Sequence, residues 1–530
     1  MMKFSVAYFL FLSLIIISCA TVEMPSGGPI DKTPPQLIAA TPSDSTMNFN
    51  SKEIIFVFDE FIKSVTKNKV VVNPYLPNNM YDISTQGKKV ILSFNDSLRD
   101  NTTYTITFNQ AIIDITEGNI LNRLTYTFST GTSIDSCSIS GKAIISELDL
   151  PMSKGIVILT NLSDFNWDTM PMYIDYINDG NFLFSNLPPN DWYIFALEDL
   201  NNNMMYEINK EHVGFYSNKI ELHNYCKQNN LKILTFLEFP LKKRVVSVPR
   251  LNLNNSIVIF NQPLEHPQIS INPSSSNIYT YWSVNNDTLF IYNPITKWDT
   301  TKIKIVDNGL DTTLNIFTGL VNTKKIAQDT VLQLKLLSYD GQLLPSDSLI
   351  IKGSLPYKWI NKDSVFLIKN EKDTIRLSLS DDYSLTHNIK NEITDGDYEL
   401  IIKAKTAESI ANTYNKENKI RFSKLSNNEI SNLTINFTKP LAWNGIIEIK
   451  SDLLTKKVNL SQGSTISIIH ELLSGKYELL LVTDKNKNGK YDTGNFIQRQ
   501  LPERVYRYPQ QIEIIKKWDQ SINWDVPNID

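Results

Sequence analysis

The stretch Tyr104-Thr105-Ile106-Thr107-Phe108 carries a large apolar side chain at every second position, with a threonine between each pair. Leu124-Thr125-Tyr126-Thr127-Phe128 repeats the alternation. Successive side chains of an extended strand point to opposite faces, so each stretch offers one apolar face to a core. Ile54-Ile55-Phe56-Val57-Phe58 and Val90-Ile91-Leu92-Ser93-Phe94 are similar apolar runs in the same region. Together they predict the strands of a β-sandwich.

Apolar runs of this kind, bounded by Asn, Asp, Gly and Pro, recur along the whole chain, and no stretch keeps a helical period. With 530 residues, of which 42% are hydrophobic, the chain is too long for one core and apolar enough to fold. We therefore predict an all-β protein built as a tandem array of four or five β-sandwich domains.

The charge is nearly balanced, with 52 basic and 56 acidic residues and a net charge of −4. The sequence contains no long Lys/Arg block that could follow a phosphate backbone. Nucleic acid is therefore not an expected partner.

The N-terminus has the features of an export signal. Lys3 precedes the apolar run 4–17, which has the length of a signal-peptide core and is too short to span a bilayer comfortably. Ile16-Ile17-Ser18-Cys19 follows and resembles the lipobox of bacterial lipoproteins, in which the cysteine is lipidated and becomes the mature N-terminus. The alternative is an ordinary secretory signal with a cysteine near its cleavage site.

The lipobox resemblance implies a signal peptide at 1–18 and a membrane anchor formed by acyl chains on Cys19. Residues 19–33, rich in Ser, Gly and Pro, read as a flexible tether. Ala20 is not an inner-membrane retention signal under the sorting rule of enteric bacteria. We therefore expect an outer-membrane lipoprotein, facing the periplasm or the cell surface, whose domains extend from the bilayer in a row.

The segment 34–132 resembles the bacterial Ig-like domain of S-layer proteins and of many Bacteroidota lipoproteins. The resemblance lies in the residues Thr33-Pro34-Pro35, Phe58-Asp59-Glu60, Asp96-Ser97-Leu98, Asn101-Thr102-Thr103-Tyr104 and Phe128-Ser129-Thr130-Gly131. It covers about the first quarter of the chain. A weaker version of the same strand pattern occurs at 245–320, in Ser256-Ile257-Val258-Ile259-Phe260 and Leu314-Asn315-Ile316-Phe317. We interpret this segment as a degenerate Ig-like copy. A third Ig-like sandwich is expected at 325–425.

A second repeat aligns without gaps. Leu187, Trp192, Asp199, Asn201, Asn203, Tyr206 and Glu207 correspond, at one constant offset, to Leu472, Tyr477, Asp484, Asn486, Asn488, Tyr491 and Asp492. Internal duplication is the simplest explanation. The two copies, at 134–240 and 428–525, resemble transthyretin-like or collagen-adhesin-B-type sandwiches.

Each copy contains a candidate calcium site. Asp484, Asn486, Asn488 and Asp492 supply oxygens at positions 1, 3, 5 and 9 of a loop with Gly489 at position 6, as in loops that wrap a hard cation. The weaker first copy has Asp199, Asn201, Asn203 and Glu207, with Met204 in place of the glycine. Both lack the bidentate acid at position 12. The alternative is an Asn/Asp-rich hairpin turn without a metal.

Cys137 and Cys226 lie in one predicted domain and could form a disulfide in an oxidising compartment. Two unpaired thiols are the alternative, and two cysteines alone cannot make a zinc site.

No catalytic residues are predicted. The five histidines are scattered, without a metalloprotease, nucleophile-elbow or phosphate-loop motif: His212, His223, His266, His387 and His470. We expect a non-enzymatic spacer and interaction surface toward envelope proteins or glycans, with no cofactor except possible calcium. The alternatives are a glycan-binding accessory protein and a hydrolase with an unrecognised site. The glycan-binding protein would need an exposed aromatic platform, for which Trp167, Trp192, Trp282 and Trp359 are candidates that could equally be core residues.

Overall fold

The computed structural model describes residues 30–527 except 224–225, 241, 251–254, 273–277, 284, 294–298, 319–330 and 371. The predicted signal peptide, Cys19 and most of the tether lie outside these residues. In the described part the regular secondary structure is almost entirely strand, with short 3₁₀ helices at Lys67–Lys69 and Lys362–Ser364. The all-β prediction is confirmed. No helix in this part is long and apolar enough to cross a bilayer.

Domain 1 is a sandwich of a four-stranded sheet, β1-β2-β6-β5, and a three-stranded sheet, β4-β7-β9, with a small β3-β8 ribbon. Its strands are β1 (Leu37–Thr41), β2 (Glu53–Phe58), β3 (Ile62–Val65), β4 (Val70–Asn73), β5 (Tyr81–Gln86), β6 (Lys89–Phe94), β7 (Thr103–Asn109), β8 (Ile112–Asp114) and β9 (Arg123–Ser129). The apolar residues that predicted β7 and β9 face each other as cross-strand pairs, Tyr104 with Phe128 and Ile106 with Tyr126.

Domain 2 is one continuous sheet in the order β11-β10-β14-β13-β12-β15-β16-β18, and β17 pairs with β15. The sheet closes on itself because β10, near one end, also pairs in parallel with β18 at the other end. The strands are β10 (Cys137–Ile145), β11 (Leu150–Pro151), β12 (Lys154–Thr160), β13 (Tyr173–Asn178), β14 (Asn181–Leu187), β15 (Asp191–Leu197), β16 (His212–Phe215), β17 (Ile220–Glu221) and β18 (Lys227–Leu237).

Strands β12 and β15 are apolar on both sides. Val157 and Ile194 point into the domain, whereas Ile158, Phe195 and Leu197 belong to a second buried cluster on its outer face. Continuous apolar runs of this kind occur where both faces of a sheet are covered. Something other than solvent must therefore cover the outside of domain 2.

Domain 3 repeats the sheet order of domain 1, with sheets β19-β20-β23-β22 and β21-β24-β25. The strands are β19 (Val245–Ser247), β20 (Asn255–Phe260), β21 (Gln268–Asn272), β22 (Tyr279–Trp282), β23 (Thr288–Tyr292), β24 (Asp299–Asp307) and β25 (Leu310–Thr318). The shared order agrees with the interpretation of this region as a degenerate copy.

Domain 4 packs the sheet β26-β28-β31, with β33 on β28, against the sheet β27-β34-β32-β29-β30. The strands are β26 (Leu334–Leu336), β27 (Gln342–Leu343), β28 (Leu349–Trp359), β29 (Val365–Lys369), β30 (Asp373–Arg376), β31 (Ser384–Ile389), β32 (Gly396–Ile402), β33 (Ala407–Ser409) and β34 (Asn418–Lys424).

Domain 5 has the sheets β38-β35-β42 and β37-β36-β39-β40, with β41 on β39. The strands are β35 (Ser431–Phe437), β36 (Gly445–Lys450), β37 (Thr455–Leu460), β38 (Ile466–Leu472), β39 (Gly475–Thr483), β40 (Val505–Arg507), β41 (Ile512–Ile514) and β42 (Gln520–Trp524). Each of its pairings has a counterpart in domain 2, including the parallel pair β35–β42 in the place of β10–β18. The domain 2 pairings β10–β11, β13–β14 and β16–β18 have no counterpart among the described strands of domain 5.

The domains do not form a simple row. Neighbours along the chain are in contact, and domain 5 also returns to domain 2, where Thr493 Oγ1 donates to the Leu237 carbonyl at 2.7 Å. The contacts between neighbours include Asn73 with Ile174, Asn209 with Asn261, the rings of Tyr279 and Tyr383, and Ser346 with Glu471. Domains 2, 3, 4 and 5 therefore close a cycle of contacts, and this corrects the expectation of a row.

Candidate functional site

The predicted calcium loop of domain 5 is a turn between β39 and β40, here called the second turn (residues 484–503). Asp484 is buried at its start and accepts two backbone N–H groups, from Asn488 on Oδ1 and from Gly489 on Oδ2, both at 3.0 Å. The Asn486 and Asn488 side-chain carbonyls accept further backbone N–H groups, and both side-chain amides donate to the Asp492 carboxylate.

The first turn (residues 199–211), between β15 and β16 of domain 2, has counterparts of most of these bonds. Asp199 accepts the N–H groups of Asn203 at 3.0 Å and Met204 at 3.1 Å. The Asn201 amide donates to Glu207 as Asn486 does to Asp492. The structure therefore brings together the predicted residues of each copy and keeps the two copies apart as separate turns.

One of the sequence differences between the two turns falls at a position with a left-handed backbone. Gly489 has φ of +73°, and Met204, its counterpart, has φ of +58°. This left-handed region costs glycine little and strains other residues. Packing compensates in the first turn, since Met204 contacts the outer cluster of domain 2 and its sulfur lies 3.7 Å from the Tyr75 hydroxyl.

Sequence reasoning missed a buried glutamate that closes each turn. Glu211 accepts the N–H groups of Leu200 and Glu207, and Glu503 accepts those of Lys485 and Asp492. Burial raises the pKa of Glu503, although the hydrogen bonds from the Lys485 and Asp492 N–H groups lower this pKa in part. The two glutamates lie at different distances along the chain from the repeat, so the constant offset could not reveal them.

The donor set fits calcium only in part. Carboxylate and amide oxygens suit the ion, but the amides of Asn486 and Asn488 present N–H groups to Asp492, and their oxygens are occupied by backbone donors. Presenting those oxygens to a cation would break these bonds. Among the described residues, no group of three or more His, Cys, Asp or Glu side chains could hold a metal. The hydrogen bonds alone account for the Asn/Asp pattern and favour the alternative of a hairpin turn without a metal, and calcium binding stays untested.

The second turn carries an insertion that the first turn lacks. Twelve positions separate Asp199 from Glu211 and nineteen separate Asp484 from Glu503. The additional residues, here called the clamp (residues 493–499), enter the outer cluster of domain 2. Phe496 is 5% exposed there and packs among aromatic rings: Phe195, Phe215, Tyr206 and Trp167.

Polar contacts fix the clamp in place. The Phe496 N–H donates to Glu238 Oε1 at 3.2 Å, and Glu238 Oε2 accepts the Tyr206 hydroxyl at 3.1 Å. Burial raises the pKa of Glu238 against the effect of these two donors. Arg499 donates to the Phe165 carbonyl at 2.7 Å and lies over the Phe195 ring, 4.7 Å from its centroid. The clamp therefore covers the outer apolar face of domain 2.

The structure joins Cys137 and Cys226 in a disulfide. Cys137 begins β10, and Cys226 immediately precedes β18, the strand that pairs with β10 in parallel. The bond therefore fastens the end of the parallel pair that closes the sheet of domain 2.

His212 lies between two carboxylates close to the contact between domains 2 and 5. Its Nε2 is 2.5 Å from Glu147 Oε1, and its Nδ1 is 2.6 Å from Glu198 Oε2. Burial lowers the pKa of His212, but the hydrogen bonds and charges of the two glutamates outweigh burial and raise this pKa to about 9.

The other predicted residues are spread over the molecule. His387 is buried between Tyr357 and Trp359, whereas His223, His266 and His470 are exposed. Trp192 and Trp359 are 0% and 2% exposed, so the expectation that either forms a glycan platform is wrong. The two other tryptophans considered for a glycan platform pack against neighbouring rings, Trp167 against Phe165 and Trp282 against Phe260.

Comparison with known proteins identifies one part of the chain. Residues 31–130 match the bacterial Ig-like domain family. No curated protein matches the sequence. The N-terminal part of the bacterial S-layer protein SbsC is 12% identical, with a TM-score of 0.15 over 31% of this chain and 40% of that one.

Two other solved structures are similar at the same level. The Bacillus anthracis TIE protein is 11% identical, with a TM-score of 0.14 over 94% of this chain and 76% of that one. The Bacteroides ovatus mixed-linkage glucan utilization locus protein SGBP-B, in complex with a mixed-linkage heptasaccharide, is 9% identical. Its TM-score is 0.16 over 73% of this chain and 94% of that one. Likenesses this slight carry no argument about function.

Proposed function

We propose that this protein is a non-enzymatic lipoprotein of the outer membrane, anchored through Cys19, whose β domains act as a rigid scaffold and interaction surface toward envelope proteins or glycans. The observation that carries the proposal is the return of domain 5 to domain 2. A flexible spacer needs no such contact, whereas a scaffold that holds its surfaces in fixed relative positions does.

Export is supported by two features at different places in the chain. The lipobox-like Ile16-Ile17-Ser18-Cys19 supplies the anchor. The disulfide between Cys137 and Cys226 suits an oxidising compartment, because thiols of cytosolic proteins are kept reduced. The match of residues 31–130 to the bacterial Ig-like domain family supports an extracellular or surface location.

The state of His212 supports the non-enzymatic part of the proposal. A general base needs a free ring nitrogen near its substrate, and both nitrogens of His212 are held by Glu147 and Glu198. His387 is buried against the Tyr357 carbonyl, to which its Nε2 lies at 2.8 Å.

Metabolic labelling with radioactive palmitate tests the anchor. We expect label on the wild-type protein in the membrane fraction, and an unlabelled Cys19→Ala variant. The Cys226→Ala variant is the matched control and should keep the label, because acylation depends on the position of Cys19 and not on a thiol as such. Wild-type protein that is unlabelled and soluble would overturn the proposal.

A further inference from the structure

The open side of domain 5 contains a cavity of about 370 Å³. It lies between β41, which pairs with β39 of one sheet, and β42, the edge strand of the other. Its volume is within the range of about 300–1,000 Å³ that small-ligand sites occupy. Aromatic and amide side chains line it, including Tyr508, Gln510, Trp518 and Gln520.

Trp518 stands at the mouth of this cavity with 61% of its surface exposed. Large aromatic side chains normally bury most of their area, so an exposed indole beside a cavity offers a ring face on which a ligand can stack. The backbone fixes its position, because the Trp518 N–H donates to Ser431 Oγ at 3.2 Å and Ser431 Oγ donates to the Ile515 carbonyl at 2.7 Å.

The duplicate in domain 2 shows that the fold does not require this tryptophan. The strand registers align domain 5 with domain 2 residue by residue. Ser431 pairs with Leu472 as Cys137 pairs with Leu187, so Ser431 occupies the position of Cys137. Counted along β41 and β42 in the same way, Trp518 occupies the position of Cys226. Domain 2 therefore has a disulfide where domain 5 has a serine and an exposed indole. The substitution gives up a covalent bond and leaves a large ring beside an open cavity.

The polar groups of the cavity define the ligand. The Gln520 Oε1 atom has no hydrogen-bond partner among the described residues and is shielded from solvent. Rotation of this amide toward the cavity would therefore present an acceptor without breaking a hydrogen bond of that oxygen. Asp519 is occupied by the Asn432 backbone and side-chain amides. The described lining contains the carboxylates of Glu513 and Asp519 and no cationic side chain, which disfavours an anionic ligand.

We infer that this cavity is a binding site for a neutral saccharide, with the pyranose face stacked on Trp518 and, after rotation of the Gln520 amide, a sugar hydroxyl donating to Gln520 Oε1. An aromatic ring packs against the C–H face of a sugar, and amide and carboxylate groups accept its hydroxyls. The inference does not depend on the lipid anchor, since it rests on domain 5 alone.

Affinity electrophoresis of the mature full-length protein tests the site, with neutral laminarin, β-mannan and arabinoxylan and with anionic alginate and polygalacturonate in the gel. We expect at least one neutral polysaccharide to retard the wild type. The Trp518→Ala variant should bind that polysaccharide at least about tenfold more weakly, a loss equivalent to about 1.4 kcal/mol.

Two further variants separate binding from folding. Leu453→Ala removes another exposed apolar side chain of domain 5 and should bind as the wild type does. Gln520→Leu removes an acceptor that has no protein partner, so it should weaken binding without lowering the melting temperature. No retardation by any neutral polysaccharide, retardation by the anionic ones alone, or full binding by Trp518→Ala would each overturn the inference.

Discussion

Single residues decide how the duplicated turns differ. Asp199 and Asp484 each collect two backbone N–H groups at the start of a turn. Such bonds satisfy polar backbone groups that a tight turn would otherwise leave unpaired. The same residue types serve turns and calcium loops, so composition alone could not separate the two, and only the direction of the Asn486 and Asn488 amides does so.

Calcium binding is tested by thermal melting of the wild type in excess CaCl₂ and in EDTA. We expect the same melting temperature in both, because the amide oxygens already accept backbone N–H groups. A ligand that binds the folded state raises its stability by mass action. A calcium-dependent rise that Asp484→Ala abolishes would therefore contradict the metal-free interpretation and establish the site.

The stability conferred by His212 should fall at alkaline pH. Its pKa of about 9 in the folded protein lies above the unfolded value of about 6.5. The contribution is therefore fully present below the unfolded pKa and is lost as the pH rises through the folded pKa. We expect the free energy of unfolding of the wild type to exceed that of His212→Gln by about 2 kcal/mol near neutral pH, and the excess to vanish toward pH 10, after allowance for partial solvent screening.

Chemical denaturation at several pH values between 6 and 10 measures this difference. His470→Gln, at an exposed position, is the control and should follow the wild type throughout. An excess that stays constant with pH would show that the contact of His212 with Glu147 and Glu198 is not ionic.

At the scale of elements, the clamp converts a turn into an interdomain contact. β12 and β15 have apolar outer faces that one domain alone cannot bury, and Phe496 covers them from a distance of about three hundred positions in sequence. The clamp packs closely against domain 2 at Gly494. An added Cβ on Gly494 would lie 2.6 Å from the Phe236 ring and 2.8 Å from the Gln500 carbonyl.

Gly494→Ala should therefore loosen the clamp. The new methyl group has no room beside Phe236, and overpacking of this kind costs about 1–3 kcal/mol. Chemical denaturation should show the loss of stability. Gln498→Ala, at an exposed position of the same clamp, should behave as the wild type, and an equally stable Gly494→Ala variant would show that the clamp does not pack tightly against domain 2.

At the scale of the whole molecule, the contact between domains 2 and 5 closes the cycle. It is supported beyond the clamp by Ser146 Oγ, which donates to the Glu503 carbonyl at 3.3 Å, and by Arg507 Nε, which donates to the Leu148 carbonyl at 3.0 Å. The remaining members of the cycle are contacts between neighbours in sequence. Loss of this one contact therefore leaves a chain whose domains are linked end to end.

The double variant Phe496→Ala/Arg499→Ala should open the molecule. Truncation of a buried Phe costs about 3–5 kcal/mol, and the variant also loses the Arg499 contacts with Phe165 and Phe195. Small-angle X-ray scattering should give a larger radius of gyration than for the wild type. The control is Ile497→Ala, which changes a clamp residue that is 72% exposed and should leave the radius of gyration unchanged. If the double variant also kept the wild-type radius, domains 2 and 5 would stay together without the clamp.

The sequence by itself determined the strands, the all-β class and the duplication, because alternation and a constant offset are local or periodic properties. The side chains whose alternation predicts β7 and β9, Tyr104, Ile106, Tyr126 and Phe128, are indeed buried. The aligned Asp, Asn and Glu207 side chains of both turns are also found from their spacing, whereas Glu211 and Glu503 are not.

Only the tertiary structure decided which surfaces are covered. Sequence could not tell that Trp192 is core and Trp518 exposed, that Cys137 and Cys226 join, or that Arg499 reaches the Phe165 carbonyl. Each of these depends on packing between segments far apart in the chain. Two residues hundreds of positions apart leave no periodic trace of their contact, because burial depends on the three-dimensional arrangement of the domains and not on local pattern.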